Sequence, residues 1–251
     1  MVLSAHPLPG LPEIRAGDDL GRMLAEASAA AGGLRDGDVL AVAHKVVSKA
    51  EGRVRSLSAV APGERARELA GAHGKDPRHV QVVLDESAQV LRAARGVLVC
   101  VTPHGFVCAN AGVDASNAGP EGDLVLLPAD PDASARALRR GVEELAGAAP
   151  AVIVTDSFGR AWRHGQCEVA IGCAGLAPLE DWRGRRDSDG RELRATWIAV
   201  ADQAASAADL ARAKDSREPA VVVRGLERHV GADDGPGAVA FLRSAEEDLF
   251  R

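Results

Sequence analysis

The sequence predicts an α/β fold with mixed sheets, and three observations predict it. Helical and extended apolar patterns alternate along almost the whole chain. The extended runs are short, rich in Val and Ile, and bounded by Gly, Pro, Asp and Asn. The apolar residues are mainly Val, Leu, Ala and Ile, with only seven aromatic residues (three Trp, four Phe, no Tyr), so aliphatic packing between helices and sheets must supply the core. At 251 residues the chain is long enough for one large α/β domain or two small ones.

Taken in order, "GDDLGRMLAEASAAAG" offers Asp18 or Asp19 as a helix cap, with Leu20, Met23 and Leu24 at helical spacing. "GDVLAVAHKVVSKAEG" reads as one β-rich run closing at a charged turn. Positions 63–94 predict two helices, "GERARELAGAHG" and "PRHVQVVLDESAQVLRAA", the second opening on Pro77. "GVLVCVT" and "GFVCANA" flank "PHG" and form a hairpin; "DLVLLP" is a short strand, and "DPDASARALRRGVEELAG" a helix with an acidic start. In the second half, "PAVIVTDSFGRAWRHGQ" is a buried-type strand entering a polar turn, and "CEVAIGCAG" is another apolar run. "RATWIAVADQAASAADLARAK" passes from strand to Ala-rich helix, "EPAVVVRG" is a strand, and "GAVAFLRSAEEDLF" reads as a final helix. There is no internal repeat and no low-complexity linker.

The bulk properties exclude several function classes. A formal net charge of −6 argues against sequence-independent nucleic-acid binding, and so few aromatics leave no stacking platform for single strands. No apolar stretch has the ~20 residues that span a bilayer, and the first residues lack a basic start and apolar core, so a cytoplasmic location is expected. Cys100, Cys108, Cys167 and Cys173 show no CxxC spacing and read as reduced thiols in the core.

Three polar clusters close apolar runs, where α/β folds place ligand sites. In "HKVVSKAEGR", Ser48, Lys49, Glu51 and Arg53 suit either a solvated strand end or a phosphate-binding lysine. In "NAGVDASNAG", Asp114 lies among glycines and asparagines that allow left-handed backbone; it is either an Asx-rich turn or a ligand for a hard cation such as Mg²⁺. In "VIVTDSFGRAWRHGQ", Asp156 projects beyond a β-branched run, Ser157 adds a hydroxyl, and Arg160, Arg163 and His164 add positive charge, a pattern for metal and phosphate. Walker, dinucleotide, nucleophile-elbow and zincin motifs are all missing. From the residues alone the reading stops at a divalent-metal, phosphate-handling α/β enzyme with Asp114 and Asp156 as its ligands.

As a set, "GLPEIRAGDDL", "DGDVLAVAHKVVSKAEGR", "NAGVDASN", "LLPADPDASA", "VIVTDSFGRAWRHG", "AIGCAGLAPLEDWRGRRDSDGREL", "VADQAASAADL" and "PAVVVRGL" resemble, in order, the coenzyme F420-0:L-glutamate ligase family in its stand-alone form. The resemblance implies that family's fold over residues 1–251, as one domain or two interleaved subdomains. It implies GTP-dependent amide formation between the deazaflavin F420-0 and L-glutamate, with further γ-linked glutamates. Mg²⁺ or Mn²⁺, K⁺ and a homodimer come with it. Asp114 and Asp156 match catalytic metal ligands, and Ser157 matches a ligand of a second metal. Leu11, Pro12, Glu13, Ile14, Lys49 and Asn117 match nucleotide-contacting positions. His44 and Lys45 stand where members often carry Ser-Thr, and "ARAKDSREP", with Lys214 and Asp215, replaces a Gly-rich acidic loop that binds nucleotide and metal. The rival readings are a metal-dependent phosphotransferase or nucleotide hydrolase using the same aspartates, and a non-catalytic nucleotide sensor.

Overall fold

The computed structural model describes residues 2–116, 122–244 and 246–249. Its elements, in chain order, are β1 (Ser4–Pro7), α1 (Leu20–Ala30), β2 (Val39–Ala43), α2 (His44–Ala50), β3 (Val54–Arg55), α3 (Glu64–His73) and α4 (Pro77–Asp85). Then come β4 (Gln89–Ala94), β5 (Val97–Val101), β6 (Val107–Ala109), β7 (Leu124–Val125), α5 (Pro131–Ala146), β8 (Ala151–Arg160) and β9 (Arg163–Ala174). The last are β10 (Leu179–Asp181), β11 (Trp197–Ala199), α6 (Val200–Leu210) and β12 (Ala220–Arg224). With helices and several sheets, the central one mixed, the architecture matches the expected class.

The central sheet has the order β1-β12-β2-β8-β9. Only β2 and β8 pair in parallel; every other neighbour is antiparallel. Alternation of side chains explains why its strands read as unbroken apolar runs: both faces are covered. Leu40, Val42, Val152, Val154, Ala220 and Val222 point to a core shared with Leu24 of α1, Val47 of α2 and Val142 of α5. Val39, Ala41, Ala151, Ile153, Val221 and Val223 point the other way, against Ala201, Ala204, Ala205 and Ala208 of α6. Alanines on that helix face let α6 lie close to the sheet. A third core joins Ala66 and Ala70 of α3, Val80 and Val83 of α4, and Leu98 and Cys100 of the β4-β5-β6 sheet.

Capping chemistry fixes the helix starts. Of the two candidates at α1, Asp19 accepts from the Arg22 amide, while Asp18 accepts from the Arg15 amide. Asp130 accepts from the Ala133 amide at 2.8 Å, Pro131 takes the first turn of α5, and Gly147 closes it at φ +67°.

Four expectations needed correction. Residues 37–52 are not one β-rich run: β2 ends at Ala43 and α2 begins at His44. The helix expected through residue 94 stops at Asp85, and residues 89–94 form β4 instead. The signal lay in Arg95-Gly96, both at positive φ, a two-residue turn that joins β4 to β5. The polar turn after Asp156 is shorter than expected, because β8 and β9 stay paired out to Arg160↔Arg163. The final helix reduces to a 3₁₀ turn at Ala238–Phe241 among the described residues.

Candidate active site

The site forms where β2 ends and β8 runs on paired with β9 alone. The parallel β2-β8 register pairs Ala43 with Thr155, so His44, the first residue of α2, comes beside Asp156, which stays in β8 opposite Val169. His44 is 2% exposed, and its Nε2 lies 3.3 Å from Asp156 Oδ1 without hydrogen-bond alignment to any described group. Its Nδ1 is 3.4 Å from the buried Ser48 hydroxyl one turn along α2. The next residue, Lys45, reaches Asp114 Oδ2 at 2.7 Å and the Ser116 hydroxyl at 2.6 Å. One turn further, Lys49 pairs with Glu13.

Asp114 belongs to a different segment and is fixed by its backbone. Its amide and carbonyl exchange hydrogen bonds with Val125 at 3.0 and 2.8 Å. Its carboxylate accepts from the Ser116 amide at 2.6 Å, so the Asx turn exists, but it does not exhaust the carboxylate. Burial pushes the Asp114 carboxyl up; the Lys45 hydrogen bond and charge and the Ser116 amide outweigh it and hold the group below the usual carboxylate range. Asp114 and Asp156 are therefore joined through the adjacent residues His44 and Lys45.

Ser157 is separated from that group. Alternation along β8 sends Asp156 and Phe158 to the α2 side, where Phe158 and Val169 pack against the core. Ser157 faces the α6 side, where its hydroxyl donates to Glu168 Oε1 at 2.7 Å and accepts from Lys214 Nζ at 2.8 Å. The structure thus sets Asp156 against His44 and Asp114 against Lys45, and places the side chains of Ser157 and Lys214 on the other face of the sheet.

The remaining expected residues divide further. Ile14 is core and Leu11 packs on it, whereas Glu13 is mostly exposed, tied to Lys49, and Pro12 is exposed. Arg160, Arg163 and His164 sit at the exposed end of the β8-β9 ribbon. At ~3.3 Å per residue that end is about 13 Å beyond Asp156. Asn117 lies outside the described residues. Arg53 donates to the Leu127 carbonyl at 3.0 Å and pairs with Glu86 at 2.6 Å.

Sequence reasoning missed Glu168, Asp209 and Arg212. Glu168 is 4% exposed, and its only signal was a lone charge inside "CEVAIGCAG". All four cysteines are free; Cys100 and Cys108 face each other across β5 and β6, and burial pushes Cys108 up to about 12. Among the described residues, no three His, Cys, Asp or Glu side chains converge as a ready-made metal cage. Two carboxylates with hydroxyls nearby still suit a hard cation that takes its other ligands from phosphate and water. No helix among the described residues is long and apolar enough to cross a membrane.

The family model described as F420-0:gamma-glutamyl ligase matches residues 10–225. The chain is 46% identical over 251 residues to the coenzyme F420:L-glutamate ligase of Methanopyrus kandleri, covering 99% of this chain and 98% of that one. It is 42% identical over 253 residues to the protein of the same name from Methanothermobacter thermautotrophicus, covering all of both chains. For the Archaeoglobus fulgidus protein of that name the identity is 46%, over all of this chain and 97% of the other.

Proposed function

Because the chain belongs to the F420-0:gamma-glutamyl ligase family, we propose that this ligase joins L-glutamate to coenzyme F420-0 at the expense of GTP, in the cytoplasm and as a homodimer. The observation that carries the reading is that His44 and Lys45, where the parallel β2-β8 pairing stops, contact Asp156 and Asp114 respectively. That is where open α/β sheets hold phosphorylated ligands.

The chemistry needs two steps. A carboxylate oxygen of F420-0 attacks the γ-phosphorus of GTP; the bond to the β-phosphate oxygen breaks and GDP leaves. The amine of glutamate then attacks the acyl phosphate and displaces inorganic phosphate, yielding the amide. Asp114 and Asp156 would hold Mg²⁺ or Mn²⁺, which supplies charge neutralisation to the phosphate oxygens when bound. K⁺ assists as a monovalent cofactor. Lys45 and Lys49 have ammonium groups on this side of the sheet, each now held by a carboxylate. Turned to phosphate, they would stabilise the charge that develops during transfer. Leu11–Ile14 precede α1 on the same side, with Glu13 against Lys49, and would border the nucleotide.

The test is a mass-resolved assay of the purified protein with F420-0, L-glutamate, GTP, Mn²⁺ or Mg²⁺, and K⁺. Product heavier by glutamyl units, formed in step with GDP, is expected. GDP release without glutamylated product would overturn the reading in favour of a nucleotide hydrolase.

A further inference from the structure

Asp114 is bridged to Val125 on one side and approached through a turn of unusual backbone on the other. Asn110, Ala111 and Gly112, which follow β6 directly, have φ of +52°, +53° and +71°. Asparagine and glycine tolerate this left-handed region, whereas alanine enters it at a cost, because its Cβ crowds the following carbonyl. Ala111 is nonetheless locked in the third core, and a Cβ on Gly112 would meet Leu127 at 2.7 Å. Such a run persists only where its surroundings hold it. Val113 returns to extended backbone, and Asp114 comes next.

The Asn110 side chain does the holding. Its main-chain carbonyl accepts from the Val113 amide at 3.0 Å and closes the turn. Its Oδ1 accepts from the Leu98 amide of β5 at 3.3 Å and from Lys75 Nζ at 3.2 Å, which uses both lone pairs of that oxygen. Lys75 lies between α3 and α4, partly buried, and makes no ion pair among the described residues; the adjacent Asp76 is taken by Arg78 at 2.6 Å. Burial pushes the Lys75 ammonium below its usual range, with Cys100 opposing it. An ammonium drawn partly out of water without a carboxylate costs stability, and an apolar side chain would join the two helices at less cost. What Lys75 contributes is therefore its grip on Asn110.

We infer that Lys75 and Asn110 are positioning residues for Asp114. The ammonium grips the Asn110 amide, the amide keeps the turn left-handed, and the turn sets the direction in which the Asp114 carboxylate leaves the chain. Were Ala111 to relax to the right-handed region, Val113 and Asp114 would rotate against the Val125 bridge. The carboxylate would then lose its aim at Lys45 and at a bound cation. The inference rests on the proposed role of Asp114 as a metal ligand.

The test is Mn²⁺ binding by the full chain in the presence of GDP, read from the electron paramagnetic resonance of the free ion, beside a thermal melt of each preparation. Lys75→Met is expected to weaken Mn²⁺ binding about tenfold while moving the melting midpoint by less than about 4 °C. Lys75→Arg, which can still donate to the amide, is expected to bind Mn²⁺ nearly as the parent does. Asn110→Ala is expected to weaken binding at least as much as Lys75→Met, and the double variant no further, because both act through one contact. Unchanged Mn²⁺ affinity in Lys75→Met, or losses that simply add in the double variant, would overturn the inference. So would a midpoint lowered by more than about 10 °C with equal loss in Lys75→Arg, which would make Lys75 structural. Asp114→Asn separates this inference from the reading it rests on. Mn²⁺ binding lost in Asp114→Asn but intact in Lys75→Met refutes the positioning role alone; binding that survives Asp114→Asn refutes the metal role with it.

Discussion

Asp156→Asn separates a charged functional site from a structural one, because the substitution keeps volume and removes charge. In the folded chain Asp156 Oδ1 accepts from the Ser157 amide at 2.8 Å, and the asparagine carbonyl oxygen can accept the same bond. The nearby His44 Nε2 at 3.3 Å is not aligned as a hydrogen bond, so little directional bonding is lost there. The fold should therefore lose about 1 kcal/mol at most, or about 2–4 °C for a chain of this size. Loss of a group that organises charge at a phosphoryl-transfer centre costs about 2.7–4 kcal/mol in the transition state, or about 10²–10³ in kcat, and more if metal binding is lost with it. The assay pairs mass-resolved glutamyl transfer, at saturating GTP and Mn²⁺, with a thermal melt of the same preparation. A variant that melts like the parent and turns over within tenfold of it would refute the assignment. So would a melting point lowered by more than about 10 °C, which would make the role of Asp156 structural.

Lys45→Met should move the acid limb of kcat/KM to higher pH. Lys45 and the Ser116 amide hold Asp114 below its usual range against burial, so its stabilisation is present above the unfolded carboxylate value near 3.9 and lost as pH falls through the lower folded value. Without Lys45, burial gains weight and the carboxyl protonates at higher pH; a limb that stays in place would count against the pair. Gly172→Ala would put a methyl 2.2 Å from the Pro131 carbonyl oxygen, forcing the start of α5 off β9 and straining the bonds from the Cys173 and Ala238 amides to Asp132. Overpacking and those bonds together make a loss of about 3 kcal/mol or more in urea unfolding the expected result, and a change below 1 kcal/mol would show that α5 yields freely. Asp202 is pushed up by burial, only partly opposed by the Ala170 amide, so its ionisation weakens the fold as pH rises from the unfolded value through the folded one. Asp202→Asn should accordingly melt higher than the parent at pH 7, with the gap closing below pH ~4; equal melting at both pH values would refute that sign.

The sequence by itself determined the fold class and the family, and narrowed the helix caps to a few short polar side chains. Those rest on local chemistry: Asp19 and Asp130 cap where a short side chain precedes a helical pattern, and Val-rich runs bounded by turn residues become strands wherever the sheet lies. It also singled out Asp114 and Asp156, because a carboxylate among turn residues or at the end of a β-branched run is visible without coordinates. It could not choose between strand and helix at His44, where a continuous apolar pattern suits both. It carried α4 too far because Arg95-Gly96 marks a hairpin only once its flanking strands are known to pair. Register decided the rest. Pairing Ala43 with Thr155 sets His44 beside Asp156, and pairing Ser157 with Glu168 creates the cluster that Lys214 completes. Neighbouring residues on a strand face opposite ways, so Asp156 and Ser157, adjacent in the chain, end on different sides of the sheet; only tertiary structure can say which groups meet them there.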